Sequence, residues 1–503
     1  MKVLFASSEI YPLVKTGGLA DVSAGLPAAL QTLGQEIMLI MPAYTDALAV
    51  AGEVQEVATM QVSGCGQQRS VRLLRGILDR IGCSLLLVEI EGLFDRPGNP
   101  YQTLSGEDWP DNGERFALFS QVVADVAMDR FNLHWQPEIV HCNDWQTGLV
   151  PALLSREDPN QRPGTVFTIH NLSYGGYFPY LLFEELGLPP EWWHFTRIEF
   201  YGSMSMLKAG IVFADYVTTV SPSYADEICT EEHGFGLHAV LQQRQKQGRL
   251  QGILNGIDTQ IWNPQHDPYL PFHYSAQRGR VARRKQNKLA LLQLLDKEHA
   301  TALLSAPLIG FIGRLIEQKG IDLIIQALPE LMKSTNASFV IVGTGIHLFE
   351  RQLTALARQF PRRIFVRIDY SEKLAHLIEG GADMFLMPSR FEPCGLNQMY
   401  SLIYGTLPIV HATGGLKDTV IDTNKTTLKN GTATGFVFDS LTPATLCYTV
   451  QRALLQYQRP RRWQAMQKTA MLQNFSWQNS AQVYLNLYHQ VSPQGVLYAC
   501  TTT

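Results

Sequence analysis

The chain has 503 residues, of which 46% are hydrophobic and 17% are charged, a balance typical of globular proteins that excludes a disordered chain. The net charge of −4 gives no reason to expect nucleic acid as a partner, and no apolar stretch is long enough to span a membrane. The seven cysteines lie far apart without a CxxC pair, which favours a reducing compartment and predicts a cytoplasmic protein.

The chain opens with a short apolar run, MKVLFAS, which lacks a signal-peptide cleavage pattern and is interpreted as a strand. The stretch VKTGGLADV follows it. Here Gly17 and Gly18 allow close approach of the backbone to a ligand, the next helix offers its N-terminus to an anion, and Lys15 is a mobile countercharge. At this point a substrate-binding loop and an ordinary solvated loop are both open.

Short apolar runs then alternate with longer amphipathic segments, which is typical of parallel βαβ units. The first series of predicted strands comprises EIMLIMPAY, SLLLVEI, EIVHCNDW, GTVFTIHN and YVTTVSPS. The second series comprises PLIGFIGRL, ASFVIVGTG, RIFVRIDY, ADMFLMPSR, TLPIVHATGG and GFVFD. The turn-rich stretch QGILNGIDTQIWNP between them predicts a hinge near residues 250 to 263. The sequence therefore predicts two doubly wound α/β domains.

One basic run, RGRVARRKQNK from Arg278 to Lys288, leads into the apolar stretch LALLQLL. We interpret it as the solvated face of a helix and not as a binding patch.

In open parallel sheets, ligands bind beyond the carboxyl ends of the strands, so the polar residues that follow the strands are the candidates. In the first domain these residues are Lys15, Asp21, His141, Asn143, Asp144, His170 and Asn171. In the second they are Arg314, Lys319, Tyr370, Arg390, Glu392, Cys394 and Gly395. The stretch TGGLKDTV repeats the Gly-Gly pair before a helix. Cations and Gly-Gly helix starts in both domains suit a phosphate-bearing ligand held between them.

The motifs KTGGLADV, TIHN, GRLxxQKG, SRFEPCGL and TGGLxDTV occur in this order along the chain. Together they resemble the bacterial glycogen synthase and plant starch synthase family. The resemblance implies the glycosyltransferase-B fold, with two Rossmann-like domains facing a deep interdomain cleft. It also implies retaining transfer of glucose from ADP-glucose to the non-reducing end of an α-1,4-glucan (glycogen or a maltooligosaccharide), with release of ADP and without a cofactor.

By the same resemblance, residues 1–252 form the catalytic and acceptor-side domain and residues 253–479 form the nucleotide-sugar-binding domain. Residues 480–503 form a C-terminal segment that packs back on the first domain. Neither a nucleic acid nor a membrane is expected as a partner.

The resemblance assigns a role to each motif of the first domain. Lys15 lies near the donor phosphates, Gly18 gives backbone access, and Asp21 lies toward the sugar or the acceptor. His170 contacts the transferred glucose, and Asp144 lies on the acceptor side. Three structural alternatives remain open: an acid in the first turn of a helix for Asp21, a helix cap for Asp144, and a purely structural role for His170.

In the second domain the resemblance makes Glu392 the key acid, placed against the glucose and the reacting centre. The sequence contains no DxD motif for a metal, so Arg314 and Lys319 would neutralise the departing diphosphate. Two mechanisms are open. In one, Glu392 is a covalent nucleophile; in the other, a same-face internal return, the phosphate takes the acceptor proton. We prefer the second. Other candidate donor-binding residues are Asn255, Tyr370, Cys394, Gly395, Leu396 and Gly415.

Two positions depart from the patterns of related enzymes. Retaining relatives often carry a second glutamate eight residues after the first, where this chain has Tyr400. Asn397 stands where many bacterial members would have threonine. The first departure weakens a two-glutamate mechanism, and the second concerns only nucleotide contacts.

Three other functions compete with this interpretation. A glucan phosphorylase shares the fold but uses pyridoxal phosphate, and a non-catalytic glucan-binding protein would bind polymer without turnover. A nicotinamide-dependent oxidoreductase would need GxGxxG after a strand, whereas VIVGTGIHLFE offers only GxG.

Overall fold

In the computed structural model, which describes residues 1–277, 281–369 and 371–492, the chain forms two compact units. The first contains Met1–Gly256 and the described residues from Ser476 onward, and the second contains Ile257–Phe475. Within the described residues, no helix combines the length and the apolar character needed to cross a lipid bilayer.

The first unit is built on a nine-stranded sheet with a small antiparallel sheet beside it. Its strands are β1 (Lys2–Ala6), β2 (Glu36–Pro42), β3 (Gln55–Gly64), β4 (Gln67–Leu78), β5 (Cys83–Ile90), β6 (Ile139–Asn143), β7 (Gly164–Ile169), β8 (Tyr177–Pro179), β9 (Glu199–Phe200), β10 (Ser203–Ser205), β11 (Tyr216–Thr219) and β12 (Leu250–Gly252). The order in the large sheet is β12-β11-β7-β6-β1-β2-β5-β4-β3, parallel from β12 to β5 and antiparallel at β4 and β3. The small sheet has the order β8-β10-β9.

All five strands predicted in the first series are present, as β2, β5, β6, β7 and β11. They are buried almost throughout, which explains why they read as continuous apolar runs. The hairpin of β3 and β4 and the small sheet were not predicted. Strand β3 lies at the edge of the sheet and is mostly exposed, so its sequence carries no apolar run.

Helices flank the large sheet of the first unit. They are α1 (Gly18–Thr32), α2 (Thr45–Val50), α3 (Asn112–Ala127), α4 (Leu149–Leu154), α5 (Tyr180–Glu185), α6 (Met206–Phe213), α7 (Pro222–Glu227) and α8 (His238–Lys246). Short 3-10 helices in the two units span Trp145–Thr147, Pro190–Trp192, Val281–Arg283 and Glu317–Lys319.

The second unit has a six-stranded parallel sheet of order β15-β14-β13-β16-β17-β18. Its strands, which match the six predicted in the second series, are β13 (Leu308–Ile312), β14 (Ser338–Val342), β15 (Ile364–Arg367), β16 (Met384–Met387), β17 (Leu407–His411) and β18 (Phe436–Phe438). Its helices are α9 (Arg284–Leu295), α10 (Ala300–Leu303), α11 (Ile321–Ser334), α12 (His347–Gln359), α13 (Glu372–Gly381), α14 (Asn397–Tyr404), α15 (Gly414–Thr419), α16 (Lys425–Asn430), α17 (Pro443–Tyr457) and α18 (Pro460–Met471). The apolar faces of these helices and strands form one continuous core.

The last described helix, α19 (Trp477–Val491), returns to the first unit, where it packs against α1 and β7. His141 in β6 lies between this helix and the sheet: its Nδ1 is 2.6 Å from the Tyr488 hydroxyl and its Nε2 is 2.6 Å from Thr168 Oγ1. The C-terminal helix is therefore tied to the centre of the sheet by a buried polar contact.

The basic run from Arg278 to Lys288 was predicted to be the solvated face of a helix, and for two of its residues this is wrong. Residues 278–280 lie outside the described residues. In α9, Arg284 and Lys288 are buried. The Arg284 guanidinium donates to carbonyl groups of the α14–β17 and α13–β16 turns, and Lys288 Nζ lies 2.6 Å from an Asp383 carboxylate oxygen. These partners supply the hydrogen-bond acceptors that water would otherwise supply. The two cations therefore hold α9 in place within its unit.

In each sheet, two adjacent parallel strands are followed by connections that lead to opposite sides. In the first unit the chain goes from β1 outward to β2 and later returns to the other side at β6; in the second it goes from β13 to β14 and later returns at β16. At such a switch point two adjacent strands send their following loops apart and leave a crevice at their carboxyl ends. Lys15 and Asp144 follow β1 and β6, and Lys319 and Glu392 follow β13 and β16.

Candidate active site

The loop after β1 is held in shape by the carboxylate of Glu9, which is 3% exposed. Its two oxygens accept hydrogen bonds from the Thr16 backbone N–H and hydroxyl, both at 2.6 Å, and from the Gly17 N–H at 3.2 Å. The Tyr101 hydroxyl donates to the same carboxylate at 2.6 Å. The N–H groups of Thr16 and Gly17 are therefore already used within the protein, and an anion at this helix start would have to bind the groups that follow them.

Lys15 and Asp21 face each other across the same loop. Lys15 Nζ lies 2.8 Å from Asp21 Oδ1, and both side chains are partly exposed. Asp21 is in the first turn of α1, so the alternative of a helix-start acid describes its position as well. A Cβ at Gly17 would meet no other described atom within 4 Å, and its φ of −158° is accessible to any residue. Protein packing thus does not demand glycine at this position.

Asn143, Asp144 and His170 lie together at the carboxyl ends of β6 and β7. The Asp144 carboxylate accepts a hydrogen bond from the His170 N–H at 2.7 Å, with Asn171 N at 3.4 Å from the same oxygen, so it joins the ends of β6 and β7 and does not cap a helix. Asp144 also has a φ of 56°, which is costly for a residue other than glycine. Burial raises the pKa of Asp144 to about 7, in spite of these N–H donors.

His170 Nε2 lies 2.9 Å from Asn143 Oδ1. Burial lowers the pKa of His170 to about 3, so the ring is neutral at pH 7. Its one N–H is on Nε2, which donates to Asn143 Oδ1, and Nδ1 is left as an acceptor. A neutral imidazole whose orientation is fixed by an amide can form a directed hydrogen bond to a sugar hydroxyl.

In the second unit, Lys319 and Glu392 meet across the crevice between β13 and β16. Lys319 Nζ lies 2.6 and 2.9 Å from the two oxygens of the Glu392 carboxylate, and the Ser389 hydroxyl donates to one of them at 2.8 Å. Glu392 is 6% exposed, whereas Lys319 retains more contact with solvent. A buried carboxylate with an ammonium group beside it is suited to a reaction in which charge of both signs develops.

The two arginines of these loops differ. Arg314 is exposed, and its guanidinium makes a long contact of 3.5 Å with Gln318 Oε1. Arg390, in contrast, makes a two-pronged contact with the Asp322 carboxylate at 2.7 and 2.8 Å and donates to the Glu317 carbonyl oxygen. The geometry gives Arg390 a structural part and leaves the Arg314 guanidinium more accessible.

The Gly-Gly pair before α15 packs against the Glu392 loop. Gly414 has a φ of 44°, and a Cβ there would overlap the carbonyl oxygen of Glu392. The Gly415 N–H donates to that same oxygen at 3.1 Å, and a Cβ at Gly415 would overlap the backbone of Cys394. Unlike Gly17, these glycines are required by contacts within the protein, and they fix the backbone that carries Glu392.

The remaining predicted residues of the second unit lie close to this loop or outside the described residues. Cys394 is buried and is in no disulfide, Gly395 has a φ of 70°, and Leu396 directly precedes α14. Tyr370 lies outside the described residues. Asn255 belongs to the first unit, where it follows β12; it is 5% exposed, and its Oδ1 has no hydrogen-bond partner among the described residues.

The two departures from related enzymes have structural partners. The Tyr400 ring stacks on Trp262 with centroids 3.9 Å apart, and the other face of Trp262 stacks on His376 at 3.8 Å. Asn397 donates to the Ile312 carbonyl at the end of β13 at 2.9 Å. The aromatic stack explains why a tyrosine is accommodated where other enzymes carry a second acid.

Sequence reasoning missed Glu9, Tyr101 and Ser389 as parts of these sites. Glu9 and Ser389 both follow a strand closely, so the rule that selected the other candidates would have found them. Tyr101 follows no strand closely, and its bond to Glu9 spans 92 residues of sequence. Within the described residues, no group of three or more His, Cys, Asp or Glu side chains is arranged to hold a metal ion.

Comparison with known proteins gives consistent matches along the chain. Residues 2–243 match the family model for the starch synthase catalytic domain, and residues 296–469 match that for glycosyl transferases group 1. The chain is 55% identical to a glycogen synthase from Hydrogenovibrio crunogenus, over 97% of this chain and 99% of the relative. It is 49% identical to a glycogen synthase from Cellvibrio japonicus, over 97% and 98%.

Two solved structures show the same architecture. The catalytic domain of starch synthase IV from Arabidopsis thaliana, bound to ADP and acarbose, has 31% identity and a TM-score of 0.86, covering 97% of this chain and 99% of that one. A sucrose-phosphate synthase from Thermosynechococcus elongatus has 17% identity and a TM-score of 0.59, with 99% of each chain covered, and supports the fold alone.

Proposed function

This chain belongs to the bacterial glycogen synthase and starch synthase family of glycosyltransferases, and on that premise we propose that it transfers glucose from ADP-glucose to the non-reducing end of an α-1,4-glucan. Its glycosyltransferase-B fold and its glycogen synthase function, with a nucleotide-sugar donor and a glucan acceptor, follow from the family. We propose three further points: that the nucleotide is ADP, that the configuration at the anomeric carbon is retained, and that individual residues have the roles given below.

The observation that carries the proposal is the contact of Lys319 and Glu392 at the switch point of the second sheet. As the bond between the anomeric carbon and the diphosphate breaks, its electron pair goes to the departing phosphate oxygen. Lys319 and the exposed Arg314 would neutralise the charge that develops there. The Glu392 carboxylate would stabilise the positive charge that develops on the sugar ring.

We propose a same-face internal return for the bond-forming step. The acceptor hydroxyl attacks the anomeric carbon from the side that the diphosphate leaves, and its proton passes to a phosphate oxygen of ADP. The configuration is then retained, and every proton and electron pair is accounted for without a covalent glycosyl-enzyme. Glu392 acts in this scheme as an electrostatic stabiliser and not as a nucleophile.

The first unit supplies the other groups. Lys15, Gly18, Asp21 and Asn255 would contact the donor, and the neutral His170 ring would hydrogen-bond a hydroxyl of the transferred glucose. Asp144, whose pKa lies near 7, would lie toward the acceptor. In the second unit, the backbone of Cys394, Gly395, Leu396 and Gly415 would lie along the nucleotide sugar, with Tyr370 beside the adenine or ribose.

We also propose that residues 1–252 act as the acceptor-side domain, residues 253–479 as the nucleotide-sugar domain and residues 480–503 as a segment of the first. We place the enzyme in the cytoplasm, because six described cysteines are thiols and its relatives include bacterial glycogen synthases.

The test is incubation of the purified protein with glycogen and radiolabelled ADP-glucose, with UDP-glucose at equal concentration in parallel. We expect label in the polymer, far faster transfer from ADP-glucose, and an α-configured product by NMR. Equal rates, or a preference for UDP-glucose, would refute the nucleotide assignment. Glucose 1-phosphate formed from glycogen and orthophosphate would identify a phosphorylase, and binding of glycogen without transfer would identify a non-catalytic protein.

A further inference from the structure

The indole of Trp477 is wedged between two glycines of the first unit. Trp477 is the first residue of α19 and is 6% exposed. A Cβ at Gly25, in α1, would overlap Nε1, Cδ1 and Cε2 of the indole. A Cβ at Gly256 would lie 2.6 Å from the Trp477 Cα and 2.7 Å from its backbone nitrogen. Neither glycine has a positive φ, so the contact with Trp477, and not a turn, demands the absence of a side chain.

Each glycine lies beside a residue that we assign to the donor. Gly25 is one helical turn after Asp21 in α1, so the two residues share one face of that helix. Gly256 directly follows Asn255. On the other side of Asn255, the Ser480 hydroxyl of α19 donates to the Leu254 carbonyl oxygen at 2.5 Å. The segment Leu254–Gly256 is therefore fastened to α19 on both sides of Asn255.

The Asn255 side chain itself points to an outside partner. Its Oδ1 is buried and accepts no hydrogen bond from the described residues. Leaving such an oxygen without a donor is unfavourable, so a polar group that donates to it gains binding free energy. A sugar hydroxyl of the donor is a group of the required kind, because it can donate one hydrogen bond to an amide oxygen.

From these contacts we propose that Trp477 is a positioning residue, which sets the spacing between α1 and the segment Leu254–Gly256 and thereby the placement of Asn255 relative to Asp21. This inference rests on the proposed function, since it takes Asn255 and Asp21 as donor contacts. It adds that donor recognition in the first unit depends on the C-terminal helix.

The experiment compares Gly25→Ala, Trp477→Leu and the pair of both substitutions. In Gly25→Ala the new methyl group pushes the indole away from α1. Misplacement by about 1 Å can cost up to about 10²-fold in rate, so we expect kcat/KM for ADP-glucose to fall by at least about tenfold, mainly through a higher donor KM. The smaller leucine makes room for the methyl group, so the pair should recover a large part of this loss. The glucan KM should change by less than about twofold.

Gly64→Ala is the matched control, because a Cβ there would meet a Leu118 methyl carbon at 2.5 Å in the same unit but in the edge strand β3. It imposes a comparable clash on a side chain that the proposal does not use, and it should leave the donor KM unchanged. Circular dichroism and melting temperatures of all variants report the folded fraction, so that rates refer to folded enzyme.

The outcomes separate this inference from the function on which it rests. A folded Gly25→Ala variant with a normal donor KM would overturn the inference, as would a pair that stays as impaired as Gly25→Ala alone. Donor and glucan parameters that decline together would also overturn it, because a merely structural role would act in that way. Asn255→Ala is the separate test of the function: if its donor KM is normal, the donor assignment of Asn255 fails, and the inference fails with it.

Discussion

The ammonium group of Lys319 lies 2.6 and 2.9 Å from the two carboxylate oxygens of Glu392, although 73 residues separate the two in sequence. The pair joins the loops that follow β13 and β16, on the two sides of the switch point. On the proposed function, we expect the diphosphate of the donor to compete with the Glu392 carboxylate for this ammonium group. Donor binding would then be coupled to exposure of the Glu392 charge to the sugar.

Glu392→Gln keeps the size of the side chain and removes its charge. We expect kcat to fall by at least about 10²-fold, the cost typical of losing one electrostatic stabiliser of a transition state. The affinity for ADP should change much less, because Lys319 remains available to the phosphates. Initial rates with ADP-glucose and a maltooligosaccharide, together with calorimetric titration of ADP, measure both quantities.

Glu330→Gln, at an exposed position of α11, is the control for loss of one negative charge in the same unit and should behave as the native enzyme. Removing one partner of a mostly buried pair leaves the other charge uncompensated, so the melting temperature of Glu392→Gln must be measured as well. A folded variant with near-normal kcat would mean that Glu392 is not at the reacting centre.

Arg314→Lys retains the positive charge but loses the planar guanidinium fork that matches phosphate oxygens. We expect kcat to fall by at least about tenfold, which corresponds to about 1.4 kcal/mol of transition-state stabilisation. Stability should not change, since Arg314 is exposed. Steady-state kinetics check this expectation against Arg351→Lys, an exposed position of α12 that should have no effect. Equal kcat for both variants would remove Arg314 from the phosphate-side group.

The buried His141 should make the free energy of unfolding depend on pH. Burial lowers its pKa from 6.5 to about 3, so below pH 6.5 the unfolded chain takes up a proton that the folded chain does not. Stability should therefore be lost as the pH falls from 6.5 toward 3, by about 2 kcal/mol between pH 6.5 and 4.5 for this group alone. His141→Gln, which cannot titrate, should lose less stability over that interval in urea denaturation.

The control is His194→Gln, at an exposed position of the same unit. It should keep the native slope of the free energy of unfolding against pH. The same slope in His141→Gln would contradict the prediction.

For Asp144, the free energy of unfolding should change with pH in the opposite direction. Burial raises its pKa from 3.8 to about 7, so the folded state favours the protonated acid, and its contribution to stability is lost as the pH rises from 4 through 7. Asp144→Asn keeps an oxygen for the His170 N–H and carries no charge. The variant should gain stability over the native protein as the pH rises, by about 3 kcal/mol between pH 5 and pH 8. Melting temperatures at pH 5 and pH 8 measure the change, with the exposed Asp46→Asn as control; a constant difference would contradict the assigned pKa.

The carboxyl ends of buried strands were the part of the site that the sequence could predict. Lys319 and Glu392 follow strands that are adjacent in the sheet, so a rule about strand ends places them together. The burial of Arg284 could not be predicted in this way, because the carbonyl groups that bind its guanidinium come from turns about a hundred residues further along the chain. The edge strand β3 was missed for a related reason: an exposed strand needs no apolar pattern, and its pairing with β4 decides its structure.

The return of α19 to the first unit also governs the order in which the chain can fold during synthesis. His141 and Tyr488, which bond to each other, are 347 residues apart in sequence, and the grooves at Gly25 and Gly256 are filled by a side chain from the last described helix. On a ribosome the first unit thus emerges first but remains unfinished, with apolar surface uncovered, while the whole of the second unit is being made. The second unit, whose strands and helices come from one uninterrupted stretch, can complete its core earlier. A released chain truncated after Phe475 should therefore hold a protease-resistant second unit and a protease-sensitive first one, the reverse of their order of synthesis.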